Sequence, residues 1–110
     1  CDAWHHKYIF PNGVAPGLSQ DLSALEPYFV CEDVDNFGAD YDPTLQGWFR
    51  NLDEGWHEVE ETYGGKQDPT FRMMKYYLLG VAGGFRSRYM QLFQLVLSKH
   101  GVPGGYMPVR

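Results

Sequence analysis

Asp42-Pro43-Thr44-Leu45-Gln46-Gly47-Trp48-Phe49 opens the most legible element of the chain. An N-cap residue followed by proline at the first helical position is a helix start, since proline has no N–H to satisfy there. Leu45, Trp48, Phe49, Leu52, Trp56, Val59 and Tyr63 then recur at steps of three and four, and Gly64-Gly65 supplies a C-cap. The spacing predicts an amphipathic helix from Asp42 to Tyr63. Its other face, with Asp53, Glu54, Glu58, Glu60 and Glu61, is a solvated surface.

Working outward, Asp68-Pro69 repeats the start signal. Phe71, Met74, Leu78, Val81 and Phe85 carry a second helical stripe to about Arg88. Gly80, Gly83 and Gly84 lie inside it, each costing a helix roughly 1 kcal/mol relative to alanine. Close packing on a sheet would account for them, and so would room for a slender ligand. Leu92-Phe93-Gln94-Leu95-Val96-Leu97 reads as a strand buried on both faces by its near-continuous apolarity. On the other side, Tyr28-Phe29-Val30-Cys31-Glu32-Asp33-Val34 is a compact strand between Pro27 and Gly38. Two short helices precede it. Asp2 caps one through Trp4 and Tyr8, ended by Pro11 and Asn12-Gly13; Ser19 caps the other, with Leu18, Leu22 and Leu25 on one face. Gly101 to Arg110 is loop.

The fold class is therefore α/β, with about four helices and two strands. Two strands are marginal by themselves, so they read as the edge of a larger sheet whose other strands lie upstream of Cys1. Three Trp, eight Tyr and seven Phe in 110 residues point the same way. That is more aromatic surface than a lone small domain hides, and it predicts an oligomer or association with a missing N-terminal half.

Charge is divided along the chain. Residues 1–68 hold all fourteen acids and three bases, whereas residues 69–110 hold six bases and no acid, within a net charge of -5. The basic third can meet phosphate headgroups or dock on the acidic part. Cys1 and Cys31 form neither a disulfide framework nor a metal spacing. With no apolar run near the roughly 20 residues that span a bilayer and no signal-peptide pattern, the expectation is a cytoplasmic protein.

Most chemistries find no motif here. His5 and His6 are adjacent and point about 100° apart on a helix, which precludes ordinary chelation. The polar run Glu32 to Asp42 sits between a strand and a strongly capped helix, where sites are often built, but Asp33, Asp35 and Asp40 lack calcium-loop spacing and a closing Glu. No metal site is expected. There is no Gly-x-Gly-x-x-Gly after a strand, no phosphate loop, no Gly-x-Ser-x-Gly elbow and no Cys/His pair in context. The acidic balance speaks against nucleic acid.

Four blocks carry a resemblance. Lys7-Tyr8-Ile9-Phe10-Pro11-Asn12-Gly13, Asn36-Phe37-Gly38-Ala39-Asp40-Tyr41-Asp42, Ala82-Gly83-Gly84-Phe85-Arg86-Ser87-Arg88 and Gln91-Leu92-Phe93-Gln94-Leu95-Val96-Leu97-Ser98 look like the closing blocks of cyclopropane-fatty-acyl-phospholipid synthases, in order and at similar spacing. The likeness covers nearly the whole chain and is closer to the phospholipid enzymes than to the mycolic-acid branch.

The resemblance implies the C-terminal part of a class I S-adenosylmethionine (SAM)-dependent methyltransferase fold, Rossmann-like, over residues 1–110. It further implies transfer of a methylene group from SAM to the double bond of phospholipid acyl chains, with bicarbonate as base and with peripheral membrane contact. Tyr41 falls on the tyrosine that helps hold bicarbonate. Phe10, Leu45, Tyr77, Val81 and Phe85 fall on the acyl channel, Val81 where many members have cysteine. Core packing explains the same apolar positions equally well. Val34-Asp35 stands where members commonly have Trp-His, and Gly84 where they have alanine or serine. The family's SAM loop, and the Cys, Glu and His that complete the bicarbonate site, would lie upstream of Cys1. The chain by itself is therefore expected to be inactive and to hold no SAM.

Overall fold

The computed structural model describes residues 2–110. In chain order the elements are α1 (Ala3–Tyr8), α2 (Leu18–Leu25), β1 (Val30–Asn36), α3 (Tyr41–Gly55), α4 (Glu60–Tyr63), α5 (Pro69–Arg86) and β2 (Phe93–Ser98). Two compact units result: one runs up to Asn36 and resumes at Phe93–Arg110, and the other is Phe37–Leu92.

In the first unit Asp2 caps α1 as expected, its carboxylate accepting from the His5 N–H at 2.9 Å. α2 starts a residue ahead of the predicted Ser19 cap. Gly17 is its N-cap and has no capping side chain, but Gln20 Oε1 accepts from the Gly17 N–H at 2.8 Å, the reciprocal bond of a capping box. β1 pairs antiparallel with β2, from Val30 opposite Ser98 to Asn36 opposite Phe93, and Glu32 is the extra residue of a bulge. The strand begins two residues later than predicted. Tyr28 and Phe29 are still in the turn after α2, where both N–H groups donate to the Leu25 carbonyl at 3.0 Å.

β2 departs from expectation in burial. Gln94 is exposed and its other residues are only half-buried, because one partner strand cannot cover two faces. The tail, rightly read as irregular, is nonetheless tied down. Glu32 Oε1 accepts from Ser98 Oγ at 2.5 Å and from the Val102 N–H at 2.7 Å, and the Arg110 guanidinium forks onto Asp33. Cys31 is an exposed free thiol, while Cys1 lies outside the described residues.

In the second unit a 3-10 turn, Gly38–Asp40, leads into α3. Asp40 rather than Asp42 is the N-cap, and Pro43 falls within the first turn, where its missing N–H is harmless. Asp42 is engaged elsewhere: its carboxylate accepts from Gln46 Nε2 at 2.7 Å and from Arg86 Nε at 2.7 Å. The predicted long helix is interrupted. It stops at Gly55, a 3-10 turn spans Trp56–Glu58, and α4 completes the stretch up to Gly64, whose φ of 87° suits glycine. The break turns Trp56 inward, 3% exposed, with Nε1 donating to the Gly64 carbonyl at 2.9 Å and its ring edge-on to Phe71. α5 begins as predicted: Asp68 accepts from the Thr70 N–H at 2.8 Å and Pro69 takes the first position. α3 packs along α5 around Leu45, Leu78, Val81, Ala82 and Phe85, each large side chain contributing roughly 1.5–3 kcal/mol by burial.

Candidate functional site

Five of the six residues singled out by sequence converge in the helical unit. Tyr41 and Leu45 are one turn apart on α3, and Tyr77, Val81 and Phe85 form a row of successive turns on α5. Leu45, Val81 and Phe85 belong to the buried core, and Tyr41 and Tyr77 are half-buried against it. The Tyr41 ring lies edge-on to Phe85 at 5.0 Å and to Trp48 at 5.7 Å. These contacts hold the ring by its edges and faces only. Its hydroxyl makes no hydrogen bond within the described residues. Burial pushes the Tyr77 phenol pKa up, and the nearby Tyr41 adds to the effect, so the Tyr77 phenol stays protonated at neutral pH. Phe10, the sixth, follows α1 in the other unit and is 54% exposed.

The acidic run from Glu32 in β1 to Asp42 in α3 serves the structure of the chain. Arg110 beside Asp33 holds that carboxyl below its ordinary pKa; the Ser98 hydroxyl and the Val102 N–H do the same for Glu32. Arg86, with help from Gln46, does so for Asp42. Among the described residues no three His, Cys, Asp or Glu side chains converge as a metal cluster.

Sequence reasoning missed the Arg86–Asp42 fork, which ties the last turn of α5 to the first turn of α3. A signal was present: a base in the last turn and an acid in the first, each where the helix dipole favours it. Gly84 also acquires a role. A Cβ there would meet Met90 Sδ at 3.0 Å, whereas a Cβ at Gly80 or Gly83 would meet nothing within 4 Å. Packing on a sheet does not account for the latter two within this chain.

The mixed architecture, read together with the family match over residues 1–95, is the α/β fold of class I SAM-dependent methyltransferases. The chain belongs to the family described as mycolic acid cyclopropane synthetase. It is 45% identical over 109 residues to the cyclopropane-fatty-acyl-phospholipid synthase of Escherichia coli (strain K12), an alignment covering 99% of this chain and 28% of that protein. Against the Citrobacter freundii cyclopropane-fatty-acyl-phospholipid synthase it is 43% identical over 89 residues, 80% of this chain and 94% of that sequence. A probable fatty acid methyltransferase of Pseudomonas putida is 31% identical over 94 residues, covering 84% and 23% respectively. The chain thus spans about 28% of the length of its Escherichia coli relative. Its relatives are cyclopropane synthases and related lipid methyltransferases. No helix among the described residues is long and apolar enough to cross a membrane.

Proposed function

We propose that this chain supplies the acyl-channel side of an enzyme that adds a methylene group from SAM across the double bond of unsaturated phospholipid acyl chains. The reading rests above all on one observation: a half-buried phenol, Tyr41, offers an unused O–H at the edge of an aliphatic and aromatic wall. Leu45, Val81 and Phe85 form the packed, dry backing of that wall, and the half-buried Tyr41 and Tyr77 would be the side chains that meet an alkyl chain.

The donor fits an oxyanion: a phenol O–H with no internal acceptor can hydrogen-bond to a bicarbonate oxygen. When bound, bicarbonate supplies the base for the proton lost as the ring closes. Tyr41 would orient that anion, and the wall would exclude water from the cationic carbon. SAM would be held by parts of the enzyme outside these 110 residues, so the chain alone binds no SAM and turns nothing over. Membrane contact would be peripheral, at a cytoplasmic surface.

In the intact enzyme, Tyr41→Phe is expected to lower turnover about 100-fold or more, the scale of losing one oxyanion donor. Helical content should be unchanged, since the ring contacts remain. Wild-type turnover in the variant would refute the role. A second reading, methylation without ring closure, is favoured by the Pseudomonas putida relative. Proton NMR of the lipid product separates the two, because only the ring carries a strongly upfield methylene signal.

A further inference from the structure

The face of α5 turned away from its core carries Arg72, Lys75, Tyr76, Leu79, Gly80 and Gly83, all within one stripe of the helix. The first five line a shallow depression. Arg72, Lys75, Tyr76 and Leu79 are exposed, the aromatic and aliphatic members at 55% and 38%.

The cations here differ from several others in the chain. Arg86 is committed to Asp42, Arg110 to Asp33 and Asp35, and Lys66 to Asp53. Neither Arg72 nor Lys75 pairs with a carboxylate among the described residues, and residues 69–110 contain no acid to neutralise them. Lys75 instead rests its ammonium 5.7 Å from the Phe49 ring, which holds it to one side of the depression. Glycines at 80 and 83 leave the neighbouring surface low, and a Cβ at either would meet nothing within 4 Å among the described residues.

From these placements we propose that this face seats the phosphate headgroups of an anionic phospholipid surface, with phosphate between Arg72 and Lys75 and with Tyr76 and Leu79 at the headgroup–acyl boundary. Charge complementarity selects the occupant. Two uncompensated cations call for an anion, and an amphipathic ring beside an exposed leucine suits an interface where water gives way to hydrocarbon. The proposal rests on the reading that the enzyme works on phospholipids, and it adds which surface meets them.

The test is co-sedimentation of the intact enzyme with vesicles of phosphatidylglycerol and, separately, of phosphatidylcholine. At about one kilocalorie per basic residue, Arg72→Gln with Lys75→Gln should weaken binding to the anionic vesicles about thirtyfold and leave the weak zwitterionic binding unchanged. Arg50→Gln with Lys99→Gln removes the same charge elsewhere and should change it less than about threefold. Equal losses in both double variants, or no loss in the first, overturn the proposal. The readout needs no turnover. Vesicle binding that depends on this face, in an enzyme yielding no methylated lipid, would sink the catalytic reading alone.

Discussion

Leu45 is the one large side chain in the described chain with essentially no exposure, at 1%, and it offers the sharpest test of the α3–α5 contact. Leu45→Ala removes three carbons. At about 0.8 kcal/mol each the transfer loss is about 2.4 kcal/mol, and an unfilled cavity between Val81, Ala82 and Phe85 raises it toward about 5 kcal/mol. Against a typical domain stability of about 5–15 kcal/mol that is a large share. The assay is urea unfolding of the 110-residue chain followed by tryptophan fluorescence, to which Trp48 and Trp56 of the same unit contribute. With a urea slope of about 2 kcal/mol per molar, the midpoint should fall by about 1.2–2.5 M at unchanged slope. Leu45→Met, which conserves volume, should cost under about 1.5 kcal/mol. A loss below about 1 kcal/mol for the alanine variant would mean that Leu45 faces space within this chain, and the packing described above would be wrong.

Three further outcomes follow from the same geometry. Gly80→Ala should stabilise α5 by up to about 1 kcal/mol and raise the melting temperature by about 4 °C, since its Cβ meets nothing; a lower melting temperature would show a contact at that site. Glu32 and Asp33 have folded pKa values below their ordinary ones, so their hold on the tail is complete above about pH 5 and is lost as pH falls through the lowered values. An NMR titration should show the Val102 amide leaving Glu32 with a midpoint under the ordinary glutamate pKa, and a midpoint at or above it contradicts the contact. Arg86→Gln removes the main cause of the lowered Asp42 pKa; carbon-detected titration should find that carboxyl higher but still depressed, because Gln46 remains, and an unmoved value would deny the fork.

Local signals were read well where the chain itself supplies the partner. Asp68-Pro69 placed the start of α5, and the three-and-four spacing of Leu78, Val81 and Phe85 gave its buried stripe. The same spacing misled at Trp56. A hydrophobic stripe continues across a short 3-10 turn almost as it does along a helix, so periodicity hides the break at Gly55, which only backbone geometry reveals. Cap chemistry is local and points to Asp42 as a cap, whereas the Arg86 that engages its carboxylate is 44 residues away. β2 looked doubly buried because its composition suits a covered strand; its burial depends on what lies beside it, which composition does not encode. At the candidate site the spacing shows that Leu45, Val81 and Phe85 share a buried face, but the unused hydroxyl of Tyr41 requires the positions of every neighbouring acceptor.

The Phe37 N–H donates to the Leu92 carbonyl at 3.1 Å, immediately inside the strand pair Asn36 and Phe93. The two ends of the helical unit are thereby fixed at the spacing of adjacent strands. In kinetic terms the unit behaves as an oversized hairpin turn. A floppy connection of that length would oppose pairing through loop-closure entropy, which grows with every added residue, but a folded one has its ends already brought together. Helix packing should therefore precede strand pairing as the chain folds. Because the closure is fixed at one residue, it also sets which side chains of β2 stand on which face, and a slip of a single position would exchange them all.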